Sequence, residues 1–270
     1  MAVAVGATVW GEGEAYEPYI GRWSRHVAAE CVRRLDVAPG GDWRDIGCGT
    51  GAVTQGVLDV ADPERVVGAD PSDGYVRYAR LHVTDARARF VRADAMALPF
   101  PDGRASAAVS GLVLNFVPVP ERALAEMARI VRPGGTVAAY LWDYTRGGME
   151  LIRHFWEAAV SLDAGSRELD EAVRFPWCAP GPLEELLRSA GITDVEVDEI
   201  RIPTRFRDFD DYWAPFLGGQ GPAPSYLASL PPKRHDALRE HLRARLPVEA
   251  DGSIALTARA WNGRGRRPAR

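Results

Sequence analysis

Apolar and polar positions change their period along the chain, and the changes mark out elements. Asp42–Gly47, Arg65–Asp70 and Ala88–Arg92 are short runs that read as strands. Ala105–Ser110 is a nearly continuous run of small apolar residues, as expected of a strand buried on both faces. Helical spacing lies between these runs. One helix opens near Tyr16, Tyr19, Trp23 and Ser24 and runs to about Leu35, and a second follows the glycine-rich turn to about Val60. A third, capped by Ser72, carries Tyr75, Tyr78 and Leu81, and a fourth spans Pro120–Val131 with Leu124, Met127, Ala128 and Val131 apolar. Arg132-Pro133-Gly134-Gly135 ends that helix, and Thr136–Trp142 is the fifth strand. Strands that alternate with helices in this way predict a mostly parallel sheet covered on both faces.

The second half keeps the same logic with a longer interruption. Gly148–Leu162 places Leu151, Ile152, Phe155, Trp156 and Ala159 on one helical face, with His154 beside it. Pro182–Ala190 is a further helix, ended by Gly191. Val195–Ile202 and Ser253–Trp261 alternate apolar with polar residues and read as strands six and seven, the last antiparallel. The segment between them holds Phe206, Phe209, Tyr212, Trp213 and Phe216, then Gly218-Gly219-Gln220-Gly221-Pro222, which suggests a substrate cap on a hinge. Pro232–Leu246 is a helix whose arginines form a solvated face, and the tail Arg264–Arg270 is expected to be disordered, as residues 1–14 are expected to be mobile. The expected fold class is α/β. It is one Rossmann-like doubly wound domain over 1–270, with a seven-stranded sheet and cap elements at about 15–36, 145–190 and 203–252.

Composition narrows the function. A chain of 270 residues with 46% hydrophobic positions can hold one large core. The net charge of −4 argues against a dedicated nucleic-acid binder. Lys233 is the only lysine and lies in a Pro-rich polar stretch, which leaves little room for Schiff-base chemistry. Cys31, Cys48 and Cys178 lie far apart without metal spacing, so neither a disulfide framework nor a zinc site is expected. The opening residues lack a signal-peptide pattern and no apolar run is long enough to span a membrane, so the expectation is a soluble cytoplasmic protein with no membrane partner. His26, His82, His154, His235 and His241 show no Ser/His/Asp or metal arrangement.

The candidate chemistry centres on Asp45–Thr54, DIGCGTGAVT. Gly47, Gly49 and Gly51 alternate at a strand-to-helix turn, where a missing Cβ lets backbone N–H groups approach a ligand. Gly47-x-Gly49-x-x-Ala52 also fits a dinucleotide pyrophosphate site. Asp45 would oppose a pyrophosphate but suits a cationic amine. Asp70, 21 residues after Gly49, ends the second strand where a carboxylate accepts bonds from vicinal ribose hydroxyls. Asp94 and Ala95, after the third strand, fit an adenine amino group and ring nitrogen, with Met96 and Leu98 as apolar walls.

In combination, DIGCGTG, Asp70, Asp94-Ala95 and ARIVRPGGTVAAYLW resemble the class I S-adenosylmethionine-dependent methyltransferases. Their small-molecule branch, which includes the ubiquinone/menaquinone-biosynthesis type, is the closest, and the resemblance covers about residues 15–145. It implies a cofactor site of S-adenosyl-L-methionine, released as S-adenosyl-L-homocysteine. A lid over it would come from Tyr16, Tyr19 and Arg22, with Arg22 on the methionine carboxylate. The glycine loop would supply Asp45, Gly47, Cys48, Gly49, Thr50 and Gly51, and the strand ends Asp70, Pro71, Asp94, Ala95, Met96, Ser110 and Gly111. Two positions depart from the family pattern: Ala105-Ser106 replaces an aromatic–acid pair, and Asn115 stands where relatives often carry His. The resemblance implies methyl transfer to O, N or C of a small, apolar or aromatic acceptor, such as a secondary metabolite, by proximity and desolvation. If a base takes part, Tyr19, Asn115, Asp143 and Tyr144 are the candidates. No metal is implied. The alternatives are a protein that binds S-adenosylmethionine without methyl transfer, including a cyclase or lyase, and an NAD-dependent oxidoreductase.

Overall fold

In the computed structural model, residues 17–218 and 221–269 are described; Tyr16, the first 15 residues, and Gly219-Gln220 of the expected hinge lie outside them. A π-helical turn, Glu17–Gly21, leads into α1 (Arg22–Arg33). The α/β series follows as β1 (Asp42–Ile46), α2 (Ala52–Val60), β2 (Arg65–Asp70), α3 (Asp73–His82), β3 (Ala88–Arg92) and β4 (Ala105–Gly111). Ser72 caps α3, its Oγ accepting from Tyr75 N–H at 3.3 Å. Next come α4 (Pro120–Ile130), β5 (Val131–Trp142), α5 (Glu150–Leu162), α6 (Glu171–Arg174) and α7 (Pro180–Ser189). The chain ends through β6 (Thr193–Phe206), α8 (Phe209–Trp213), α9 (Pro222–Ser229), α10 (Pro232–Arg243) and β7 (Ile254–Arg266).

The seven strands order as β3-β2-β1-β4-β5-β7-β6. All adjacent pairs from β3 to β5 are parallel, and β7 runs antiparallel to both β5 and β6. The strand order reverses between β1 and β4, which opens a crevice at their carboxyl ends. The central strands are buried throughout β1 and nearly throughout β4; burial on both faces accounts for the small apolar run of β4, while in β1 the buried Arg44 is paired with Asp42. The expected turn at Arg132–Gly135 is present inside β5, as an irregular register between Ala105↔Val131 and Ala107↔Thr136.

Two expectations are overturned here. The tail is ordered through Arg266: Gly263 and Gly265 face inward, where an added Cβ would stand 2.5 Å from Leu187 and Ile192. The alternate arginines find acids, Arg264 with Glu196 and Asp198 (both 2.6 Å) and Arg266 with Asp36 (2.9 Å). Gly-Arg alternation here is the two-residue period of a strand, written without large apolar side chains. Secondly, the aromatics of the 203–252 insertion do not face a substrate space. Phe206, Tyr212 and Phe216 are fully buried in the main hydrophobic core, with Phe216 stacked on Phe155 at 4.6 Å, and none of them lines the cavity at the carboxyl ends of the strands. No described helix is long and apolar enough to cross a membrane.

Candidate functional site

A cavity of about 540 Å³ opens at the carboxyl ends of β1, β2, β4 and β5, beneath the π-helical turn and α6. Its floor is the glycine loop. Gly47 has φ +75°, and a Cβ there would meet Val113 at 2.5 Å, so this turn closes tightly only on glycine. Gly49 has φ +50° and nothing within 4 Å of a built Cβ, so the protein leaves that face open. Cys48 and Thr50 also line the cavity; burial pushes the Cys48 thiol well up, which keeps it neutral.

Asp70 reaches the wall from the end of β2. Gly49 N–H donates to its Oδ2 (3.0 Å) and Ser72 N–H to its Oδ1 (2.9 Å). Burial raises its pKa while those two backbone bonds lower it. A carboxylate has about four acceptor positions, so a pair of oxygens already fixed by one N–H each can still accept from a ligand. Pro71 lines the cavity beside it. Asp94, Ala95 and Met96 also line it, with Asp94 Oδ1 held by Met96 N–H at 2.8 Å. Tyr19 and Gly111 complete the expected residues on the wall, Tyr19 resting edge-on against Phe216 at 5.9 Å.

Other expected residues fall elsewhere. Asp45 is not among the lining residues. Its Oδ2 accepts from Thr54 N–H (2.9 Å) and Thr54 Oγ1–H (2.7 Å), tying the loop to α2, and burial pushes its pKa up to about 7. Gly51 begins α2 and also lies off the wall. Arg22 pairs with Asp211 (3.3 Å), its guanidinium 4.5 Å from the Trp23 ring and 4.8 Å from Phe206, and it is not among the lining residues. Ser110 and Asn115 are buried outside the lining. Asp143 is committed to the scaffold: it pairs with Arg259 (2.6 Å) and accepts from Thr145 N–H (2.8 Å) and Oγ1–H (2.6 Å). Tyr144 does line the cavity, 5.9 Å from the Phe175 ring. Of the four acid–base candidates, then, Tyr19 and Tyr144 reach the wall, and Asn115 and Asp143 do not.

Sequence reading missed Glu171, which lines the cavity while only 2% exposed. Leu112, which the sequence places at the carboxyl end of the fourth strand where open α/β sheets bind ligands, does line the cavity; its φ of +63° is uncommon for a branched side chain, and its N–H donates to Tyr140 O at 2.8 Å. The segment around Glu171 has no helical or strand period, so nothing in the pattern marks one of its acids as inward. Asp170, which caps α6 by accepting from Ala172 N–H (2.9 Å), is the one local signal. Among the described residues no group of three metal-binding side chains occurs.

Residues 44–139 match a family described as a methyltransferase domain. A demethylmenaquinone methyltransferase of Geobacillus stearothermophilus is 29% identical over 189 residues, spanning 65% of this chain and 79% of that one. Among solved structures, Haemonchus contortus phosphoethanolamine N-methyltransferase 2, in complex with S-adenosyl-L-methionine, superposes with a TM-score of 0.57 at 19% identity. That match covers 95% of this chain and 56% of the other. The [4+2]-cyclase SpnF superposes at 0.53 with 20% identity, over 91% and 81% of the two chains. Structural likeness at this identity is a likeness of fold. Residues 44–139 are thus a methyltransferase domain, and together with the relatives and the shared fold they support a class I S-adenosylmethionine-dependent methyltransferase.

Proposed function

We propose that this protein transfers the methyl group of S-adenosylmethionine to a small apolar or aromatic acceptor bound in the same cavity. The observation that carries the reading is the pairing of Gly49 with Asp70. One backbone bond joins a glycine whose open face borders the cavity to a carboxylate oriented into its wall. In this reading the loop Gly47–Thr50 cradles the methionine portion and Asp70 accepts from the ribose hydroxyls. Asp94 takes the adenine amino group between Ala95 and Met96, and Tyr19 closes over the site.

When bound, S-adenosylmethionine supplies a methyl group activated by a positively charged sulfur. The chain's own residues position and desolvate. Leu112, Val113, Phe116, Val117 and Trp142 give the remaining wall an apolar character, which favours an apolar acceptor and keeps water out. A demethylmenaquinone methyltransferase among the relatives is consistent with an acceptor of that kind, and a secondary metabolite would suit it equally.

Calorimetric titration with S-adenosylmethionine, S-adenosylhomocysteine and NADH tests the reading. Binding of the first two without the third is expected; binding of NADH alone would reassign the site to redox chemistry. Labelled-methyl transfer to trial acceptors then separates an enzyme that transfers methyl from one that uses the fold otherwise.

A further inference from the structure

Among the described residues that line the cavity, Glu171 is the one acid on the cap side, and its surroundings are unusual for a structural carboxyl. The first turn of α6 brings it in, and Trp156 Nε1–H from α5 donates to its Oε2. The neighbouring cation is already engaged, since Arg153 gives both amino groups to Asp170 at 2.7 and 2.9 Å. Phe175, which continues from α6, packs against Phe116 (5.4 Å) and Tyr144 (5.9 Å), so the wall adjoining α6 is aromatic. An ionised carboxylate in such a place is costly unless it is protonated or meets a ligand charge. A glutamine oxygen could also accept from Trp156; what a carboxyl adds is ionisation, either a held proton or a negative charge.

We propose that Glu171 is the proton acceptor of the transfer step, taking the O–H or N–H proton of an apolar acceptor seated against Phe116 and Tyr144. This rests on the methyl-transfer reading above. The acceptor's heteroatom forms its bond to the methyl carbon as the carbon–sulfur bond breaks. That bond's electron pair stays on sulfur, and the heteroatom's proton moves to the Glu171 carboxylate. The positive charge lost at sulfur is thereby matched by the proton gained on Glu171. It follows that the acceptor atom carries a proton before reaction, which favours acidic hydroxyls and amines over carbon lacking one.

The ionisation of Glu171 fits the role. Burial is the main cause that pushes its pKa up to about 8, with Asp170 adding to the rise and Arg153 opposing it. Other titratable groups on this side are Asp170 and Arg153, paired with each other, Asp143, paired with Arg259, Cys178, whose thiol burial keeps neutral, and Tyr144. Near neutral pH the empty site holds the carboxyl largely protonated. A sulfonium charge entering the cavity favours the carboxylate and releases that proton to solvent, which arms the base only when the methyl donor is in place.

Proton counting by calorimetry in buffers of different ionisation enthalpy tests this without knowledge of the acceptor. At a pH near 7.5, the wild-type protein is expected to release more protons on binding S-adenosylmethionine than on binding the uncharged-sulfur product, S-adenosylhomocysteine. In Glu171→Gln the excess should vanish while the affinity for S-adenosylhomocysteine is retained; in Glu171→Asp part of it should remain. Equal counts for the two ligands in the wild-type protein overturn the proposal even if no variant folds, and so does an excess that persists in Glu171→Gln. Failure of the wild-type protein to bind either ligand instead overturns the methyl-transfer reading beneath it.

Discussion

Asp70 Oδ2 sits 3.0 Å from Gly49 N, and the two residues face the same cavity, one from the end of β2 and the other from the loop that follows β1. Replacing Asp70 with alanine removes a charged acceptor and is expected to weaken S-adenosylmethionine binding by about 1.5–3 kcal/mol, measured by titration calorimetry. Gly49→Ala tests the open face. Its left-handed backbone should cost about 1–2 kcal/mol of stability in a urea titration, whereas donor binding should be lost because the new methyl enters space the protein leaves free. These residues were legible in the sequence because each is tied to a strand end, and strand ends are fixed by short-range pattern. Asp94 was legible for the same reason. Arg22 and Glu171 were not, because neither position follows from its own segment. Arg22 is drawn off by Asp211, 189 residues away, and Glu171 is turned inward by a bond from Trp156 on a different helix. Asp143 was recognised as lying at the sheet edge, but its partner Arg259 belongs to a strand more than a hundred residues further on.

At the scale of elements, β7 shows how a strand can escape notice. Its first half alternates Ile254, Leu256 and Ala258 with polar residues and announces itself; its second half alternates glycine with arginine and resembles a charged tail. The glycines are required by packing against Leu187 and Ile192, and the arginines by the acids of β6 and Asp36. Gly265→Val is therefore expected to destabilise the fold by about 1–3 kcal/mol through overpacking, read from the urea midpoint. A disordered tail would leave that midpoint unchanged. Most helices and strands up to Trp142 were legible within a residue or two, since local period and burial agree there; the exceptions are β5, which begins at Val131 and not Thr136, and the first helix, which starts at Arg22 after a π-helical turn. The insertion was legible as helical and aromatic but not as facing into the main core. Aromatic content is common to a binding surface and to a buried cluster, and only the packing of Phe216 on Phe155 and Tyr19 distinguishes them.

For the molecule as a whole, buried carboxyls set an unusual pH response. Asp45 and Glu171 titrate in the fold at about 7 and about 8, against roughly 4 for such groups in an unfolded chain. Between those limits the folded protein binds more protons than the unfolded one, so stability falls as pH rises. His154, whose pKa burial lowers from 6.5, works in the opposite direction and only below that value. The thermal midpoint of the unliganded protein is thus expected to fall from pH 6.5 towards about pH 8, and Glu171→Gln should flatten the decline. A midpoint that rises across this window would refute the buried, protonated state of both carboxyls. The strand order carries a further consequence, for the time course of biosynthesis. Among the described residues β6 pairs with β7 alone, and β7 is translated after it, beyond the whole 207–253 segment. At roughly 5–20 residues per second, several seconds pass in which the parallel half of the sheet can assemble on the ribosome while β6 waits with both edges bare. A nascent chain paused in that interval is where a chaperone would find the most to hold.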